Sequence, residues 1–254
     1  MQTNKIINKI KSMKGKEPIV MLTCYDYTTA KVLEKLKIDI ILVGDSLGNV
    51  VLGYNNTRYV TMHDMVRHTS AVRRGAPKSF IVADMPYNSD TNKELAIKNA
   101  TILIKSGADA VKIEGKPAIC KALVESRINV MGHVGHLPQT AGKPIVHRDK
   151  DKLLEDSRRL EKAGVFAIVL EMVQMDIAKN ITETLKIPTI GIGAGPYCDG
   201  QVLVTPDLLG IYDDFKPSFV KRYANINNEI KRAIEKYKEE VKNRIFPSKE
   251  YSFK

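Results

Sequence analysis

The chain has no tryptophan, and only three of its 254 residues are cysteine. Cys24, Cys120 and Cys198 lie far apart with no CxxC pair. That excludes a disulfide framework and a thiolate zinc site, and it fits a reducing, cytoplasmic setting. No apolar run approaches the ~18 residues of a membrane span, so no membrane partner is expected. A GxxxxGK[ST] loop is absent, and the first apolar run leads into TCYDYTTA rather than a GxGxxG turn, which removes support for nucleotide hydrolysis and for dinucleotide binding. His63, His68, His136 and His147 form no HxxxH or HxxEH pattern, and each is expected at the surface or behind a site rather than as a metal ligand.

Acidic residues are also in short supply, 29 against 40 Lys and Arg, for a formal net charge of +11. Such a field suits nucleic acid, an acidic membrane surface or small anionic substrates. No nucleic-acid motif accompanies it, so the substrates are expected to be small molecules and nucleic acid is not expected as a partner. Much of the excess lies in Lys5 to Lys16 and Lys221 to Lys242, which read as solvated basic helix faces. The first of these is expected to be a helix or arm rather than a transit peptide, because it lacks Arg and Ser enrichment.

What the chain does have is alternation. Apolar, β-branched runs occur at 19–26, 38–46, 79–85, 108–115, 128–135, 165–173, 187–195 and 201–211, with helical patterns such as TTAKVLEKLK and KDKLLEDSRRLEKAG between most of them. Near-continuous apolar strands joined by helices require a parallel sheet covered on both faces, with right-handed crossovers. Eight such units in 254 residues predict one (β/α)8 TIM barrel over 1–254, with an N-terminal helix or arm and a basic C-terminal helix. A doubly wound open sheet is the competing architecture.

Active sites of such barrels form at the carboxyl ends of the strands. There the runs end in Asp45-Ser46, Asp84, Lys112 with Glu114, His133 and Glu171. Lys112 and Glu114 are two apart, so the strand period points both to one face. Converging carboxylates repel unless protons or a cation intervene, and oxygen-only ligands favour Mg2+ or a similar divalent cation. The alternative is that these acids pair with Lys112 or cap the following helices. Tyr25-Asp26 either lines the mouth or forms a hydrogen-bonded turn.

The blocks VGDSLGNVVLGY, IVADMPY, GADAVKIEG, VMGHVG, VLEMV, IPTIGIGAG and the terminal FPSKEYSF resemble the ketopantoate (3-methyl-2-oxobutanoate) hydroxymethyltransferase family, and the resemblance runs over nearly the whole chain. The resemblance implies a barrel of the phosphoenolpyruvate/pyruvate type. It also implies transfer of a one-carbon unit from 5,10-methylenetetrahydrofolate to 3-methyl-2-oxobutanoate in pantothenate biosynthesis. Carried over by motif, it implies metal ligands at Asp45, Asp84 and Glu114, 2-oxo acid contacts at Asp45, Ser46, Asp84 and Lys112, and the proton acceptor at Glu171. It implies a homo-oligomer, often a decamer, and gives His133 no firm role. Two features depart from the pattern. GHVGHLPQ carries His136 and Leu137 in unusual places, and the segment from Gln139 to Arg148 is shorter than in the family. The shortening bears on folate handling and site closure more than on the metal or the base. A metal-dependent carbon–carbon lyase acting on a 2-oxo acid and an inactive basic scaffold barrel are the other readings.

Overall fold

The computed structural model describes residues 2–214 and 217–253. Among these, eight parallel strands close into a barrel in chain order: β1 (Ile19–Thr23), β2 (Ile40–Val43), β3 (Ile81–Asp84), β4 (Ala110–Glu114), β5 (Val130–Gly135), β6 (Ala167–Glu171), β7 (Thr189–Ile192) and β8 (Gly200–Leu203). The longer helices are α1 (Gln2–Met13), α2 (Tyr27–Lys35), α4 (Met62–Gly75), α5 (Lys93–Lys105), α6 (Pro117–Glu125), α7 (Lys150–Lys162), α8 (Met175–Thr184) and α10 (Ile226–Lys242), with short turns α3 (Leu47–Val50) and α9 (Thr205–Leu209). None of the described helices is long and apolar enough to cross a membrane.

The helices start where short polar side chains cap them. Asp26 accepts from the Thr29 N–H before α2, Asn92 from Leu95 before α5 and Asp149 from Lys152 before α7, while Thr61 and Asp64 form a reciprocal box at α4. The expected strands overrun the observed ones because such turn and cap residues occupy the ends of the apolar runs. The largest difference is at 201–211, where the strand stops at Leu203 and residues 205–209 are helical. Pro206 accounts for it: proline has no N–H for a sheet ladder, and its fixed φ suits the first turn of a helix.

Two clusters build the barrel. On the outside, Ile41, Val43, Ile81, Val111 and Ile113 pack beneath helix residues such as Leu103, Leu123, Leu160 and Ile181. Inside, Met21, Ile40, Leu42, Val82, Ala110, Met131, Val169 and Val202 pack together with Ile7, Ile10 and Met13 of α1, which closes one end of the barrel. Each such fully buried aliphatic side chain contributes about 1.5–3 kcal/mol relative to exposure.

The chain divides into two compact units at Val204/Thr205. The second holds α9 and α10; in it the Tyr223 N–H donates to the Leu208 carbonyl, and Arg222 donates to the Tyr212 carbonyl. Helix α10 has no buried residue.

Candidate active site

Two residues beyond the apolar inner layer, the same strands change character. Asp84 follows Val82, Lys112 follows Ala110, His133 follows Met131 and Glu171 follows Val169, and period-2 geometry keeps each pair on one face. The parallel register sets Asp84 beside Lys112, Glu114 beside His133 and Gly135 beside Glu171. The polar residues expected at the mouth therefore meet there.

Lys112 Nζ lies 3.1 Å from Asp84 Oδ1 and 3.4 Å from His133 Nδ1. His133 reaches in two directions: its Nε2 is 3.2 Å from Glu171 Oε2, and its Nδ1 is 3.9 Å from Glu114 Oε1. Asp84 Oδ2 accepts the Asp45 backbone N–H at 3.0 Å. Ser46 stands at the start of α3 without capping it, and its hydroxyl hydrogen-bonds the Tyr25 hydroxyl at 2.8 Å. Tyr25 and Asp26 thus divide the two roles read for them, one at the mouth and one in a cap.

Asp45, Asp84, Lys112 and Glu114 are each at most 7% exposed, and four carboxyl groups share one ammonium. Burial, then the charge of Asp84, pushes the Asp45 carboxyl up to about 7; burial also pushes Glu114 up to about 9, against the pull of Lys112. Burial disfavours the Lys112 charge, but Asp84, Glu114 and Asp45 outweigh it and hold its pKa above the ordinary lysine value. His133 is lowered by burial and by Lys112, which favours the neutral ring. Asp84 Oδ1 is buried and, although Lys112 is close, receives no aligned hydrogen bond. Among the described residues no three His, Cys, Asp or Glu side chains form a ready metal cage. The donor set is nonetheless one a hard cation fits: oxygen donors, excess negative charge and a buried carboxylate oxygen short of a donor. Mg2+ needs only one or two protein carboxylates and keeps waters or substrate oxygens in its other positions.

Sequence reasoning missed what the segment after β5 does here. Gln139, 4% exposed, donates its side-chain amide to Asp45 Oδ2 at 2.7 Å and to the Met85 carbonyl at 2.8 Å, while its backbone N–H donates to Glu114 Oε2 at 3.1 Å. The His136 N–H donates to the Glu171 carbonyl at 2.8 Å, and the His147 N–H to the Met172 carbonyl at 2.7 Å. Met172 is held there at φ 49, a left-handed conformation that costs a non-glycine residue about 1–2 kcal/mol. Gly135, at φ 95, permits the approach, since a Cβ there would overlap the Glu171 carbonyl oxygen. The segment is thus tied to the acids and to the strand end bearing Glu171. The one available signal was Gln139 itself, an amide following the motif at the mouth of β5.

The fold resembles phosphonopyruvate hydrolase solved with oxalate and Mg++ (TM-score 0.67, 13% identity, 99% of this chain and 93% of that one). It also resembles phosphoenolpyruvate phosphomutase from Streptomyces platensis subsp. rosaceus (TM-score 0.65, 13% identity, 95% and 87%). A third likeness is to 2,3-dimethylmalate lyase, a PEP mutase/isocitrate lyase superfamily member (TM-score 0.63, 13% identity, 98% and 92%). The fold class is therefore the closed parallel (β/α)8 barrel. Within it, the family model for ketopantoate hydroxymethyltransferase matches residues 4–249. Proteins named 3-methyl-2-oxobutanoate hydroxymethyltransferase from Thermotoga neapolitana and Thermosipho africanus are 54% and 55% identical, each over 97% of this chain and 96% and 97% of their own length. The chain belongs to the ketopantoate hydroxymethyltransferase family of transferases. Its alignment with the Thermotoga neapolitana relative spans 258 positions while using 97% of 254 residues, so that relative carries positions this chain lacks.

Proposed function

We propose that this enzyme transfers a hydroxymethyl unit from 5,10-methylenetetrahydrofolate to 3-methyl-2-oxobutanoate, giving 2-dehydropantoate, the first step of pantothenate biosynthesis. The observation that carries the reading is the single buried cluster in which Asp45, Asp84, Glu114 and Glu171 meet Lys112 and His133 at the barrel mouth; family membership supports the same activity.

Asp45, Asp84 and Glu114 would hold a divalent cation such as Mg2+. When bound it supplies Lewis-acid stabilisation of negative charge on a 2-oxo acid's oxygens. Lys112 adds a fixed positive charge beside the same oxygens, pre-oriented by Asp84. Asp45, Ser46, Asp84 and Lys112 orient the 2-oxo acid. Glu171, its side chain 19% exposed and so within reach of a ligand, takes the proton from C3. His133 Nε2, 3.2 Å from Glu171 Oε2, is placed to orient that carboxylate. In the overall balance the C3 carbon bonds the donor's methylene carbon, both of that carbon's bonds to folate nitrogens break, and water supplies the hydroxyl. The protons lost by C3 and water end on the two nitrogens.

The test is formation of 2-dehydropantoate from 3-methyl-2-oxobutanoate, the folate donor and Mg2+, which the reading requires. Absence of product with intact proton exchange at C3 would redirect the assignment to a 2-oxo acid lyase. Loss of both would indicate an inactive barrel.

The substrates are small molecules acting in the cytoplasm, and the enzyme assembles as a homo-oligomer, a decamer by family resemblance. Support for assembly comes from α10, where Ile230, Ile234, Tyr237 and Val241 are spaced along one face and are 42–59% exposed. Light scattering after gel filtration should give a mass several times 28.4 kDa; a monomer would refute it.

A further inference from the structure

The connection from β2 to α4 carries one arginine, and its side chain leaves its own loop. Arg58 lies in a one-turn 3-10 helix (Thr57–Tyr59), where the Asn56 side chain accepts its N–H at 3.0 Å and the flanking Thr57 and Val60 are buried. That gives the side chain a fixed base. From it the guanidinium reaches the segment after β5: Nε donates to the Gln139 carbonyl at 2.8 Å and Nη2 to the Ala141 carbonyl at 3.0 Å. It also lies over the ring of Tyr87, 5.7 Å from the centroid, on the connection that follows β3.

The two carbonyls belong to a stretch with little regular structure. Within residues 137–142 the Thr140 and Ala141 N–H groups donate to the Leu137 carbonyl, which makes a single turn. A segment of that kind orders a side chain only as well as its anchors allow. Gln139 is the residue at stake: its N–H donates to Glu114, its side-chain amide to Asp45 and Met85, and Arg58 takes its carbonyl. The guanidinium is thus one residue removed from both carboxylates, gripping the backbone of the residue that bonds them. A rigid planar fork suits this task, because one group satisfies two carbonyls at once, which the single ammonium of a lysine cannot do in the same geometry.

We propose that Arg58 is a positioning residue: by clamping Gln139 it holds the Asp45 and Glu114 carboxylates in the arrangement that takes the divalent cation. The inference rests on the proposed role of those two acids as cation ligands. Groups that hydrogen-bond a ligand govern metal affinity through the ligand's orientation, and Arg58 stands directly behind such a group. Its charge works the other way, since a nearby positive charge opposes Mg2+. The sign of the effect separates the two roles. Removing the side chain weakens Mg2+ binding when positioning prevails and tightens it when charge alone acts.

Calorimetric titration with Mg2+ tests this in wild type, Arg58→Ala, Arg58→Lys, Gln139→Ala and the Arg58→Ala, Gln139→Ala double variant. Arg58 is exposed, so its removal leaves the core intact. Arg58→Ala should raise the Mg2+ Kd about tenfold, and Arg58→Lys, which keeps the charge but not the fork, should fall between it and wild type. In a Gln139→Ala background the loss of Arg58 should add nothing further, because the two residues act in series. An unchanged or lowered Kd in Arg58→Ala overturns the inference, and so does an undiminished rise in the Gln139→Ala background. Amide hydrogen exchange over residues 137–142, measured without Mg2+, provides a readout independent of the cation. The Gln139, Thr140 and Ala141 amides should exchange about tenfold faster in Arg58→Ala, the equivalent of one lost hydrogen bond. If wild type binds no Mg2+, the cation reading of Asp45 and Glu114 fails by itself. The exchange rates, which include the Gln139 N–H bonded to Glu114, still decide the clamp, and unchanged rates overturn it.

Discussion

The two layers of the barrel interior are made by the same strands and lie one strand period apart. In the inner layer Val82, Ala110, Met131 and Val169 join the side chains of α1 in an apolar cluster. In the outer layer Asp84, Lys112 and His133 are packed almost as tightly, yet burial there disfavours the Lys112 charge and a protonated His133 ring, and Glu171 completes the layer. Breaking a buried ion pair commonly costs more than replacing it with apolar groups of the same volume. The outer layer is therefore arranged for chemistry at the expense of stability, while the inner layer supplies stability and no chemistry.

Substitutions can break or sharpen that contrast. Met131→Ala, a truncation in the inner layer, should cost about 2–5 kcal/mol. Calorimetry should register this as a fall in Tm of about 2–4 °C per kcal/mol for a chain of this size, while kcat per folded molecule holds. A fall in kcat with an unchanged Tm would erase the distinction between the layers. One layer out, Asp84→Asn should abolish most of the stabilisation by Mg2+, which for wild type at a hundred times Kd amounts to ~2.7 kcal/mol. Thermal melts with and without Mg2+ provide the measurement, and an undiminished Mg2+ shift would remove Asp84 from the cation site.

Smaller effects probe the boundary between strands and loop. Because Gln139 is bonded to both Asp45 and Glu114, Gln139→Ala should lower C3 proton exchange and complete transfer together, each by about tenfold, the equivalent of one charge-assisted hydrogen bond of ~1.5–3 kcal/mol partly compensated by water. Transfer falling alone would show that the segment serves the second substrate and not the strand-end acids. The smallest effect concerns the surface, where the formal charge of +11 is expected to steer anionic substrates. From low to physiological ionic strength kcat/KM should fall a few-fold with kcat nearly constant, as the Debye length shrinks to about 8 Å.

The layers also differ in how far they could be read from sequence. Strand existence and the identity of the mouth residues were legible because each apolar run ends in a polar residue, and period 2 tells which of its neighbours share a face. Asp84, Lys112, Glu114 and Glu171 meet as that rule requires. The end of the eighth strand was not legible: VLVTPDLLGI reads as one apolar run until Pro206 is recognised as a helix starter. Gln139 and the His136 and His147 backbone contacts were equally hidden. They depend on the path of an irregular segment with no period, and an amide there has the same letter whether it faces solvent or clamps two carboxylates.

The most direct test of the central claim, that the outer layer acts as an enolising apparatus with Glu171 as its base, omits folate altogether. The rate at which solvent deuterium enters C3 of 3-methyl-2-oxobutanoate is followed by NMR in the presence of Mg2+ for wild type and Glu171→Gln. The account predicts ready exchange by wild type and a loss of about 10²–10⁴-fold in the variant, with substrate binding largely retained. Exchange by Glu171→Gln at the wild-type rate would contradict it.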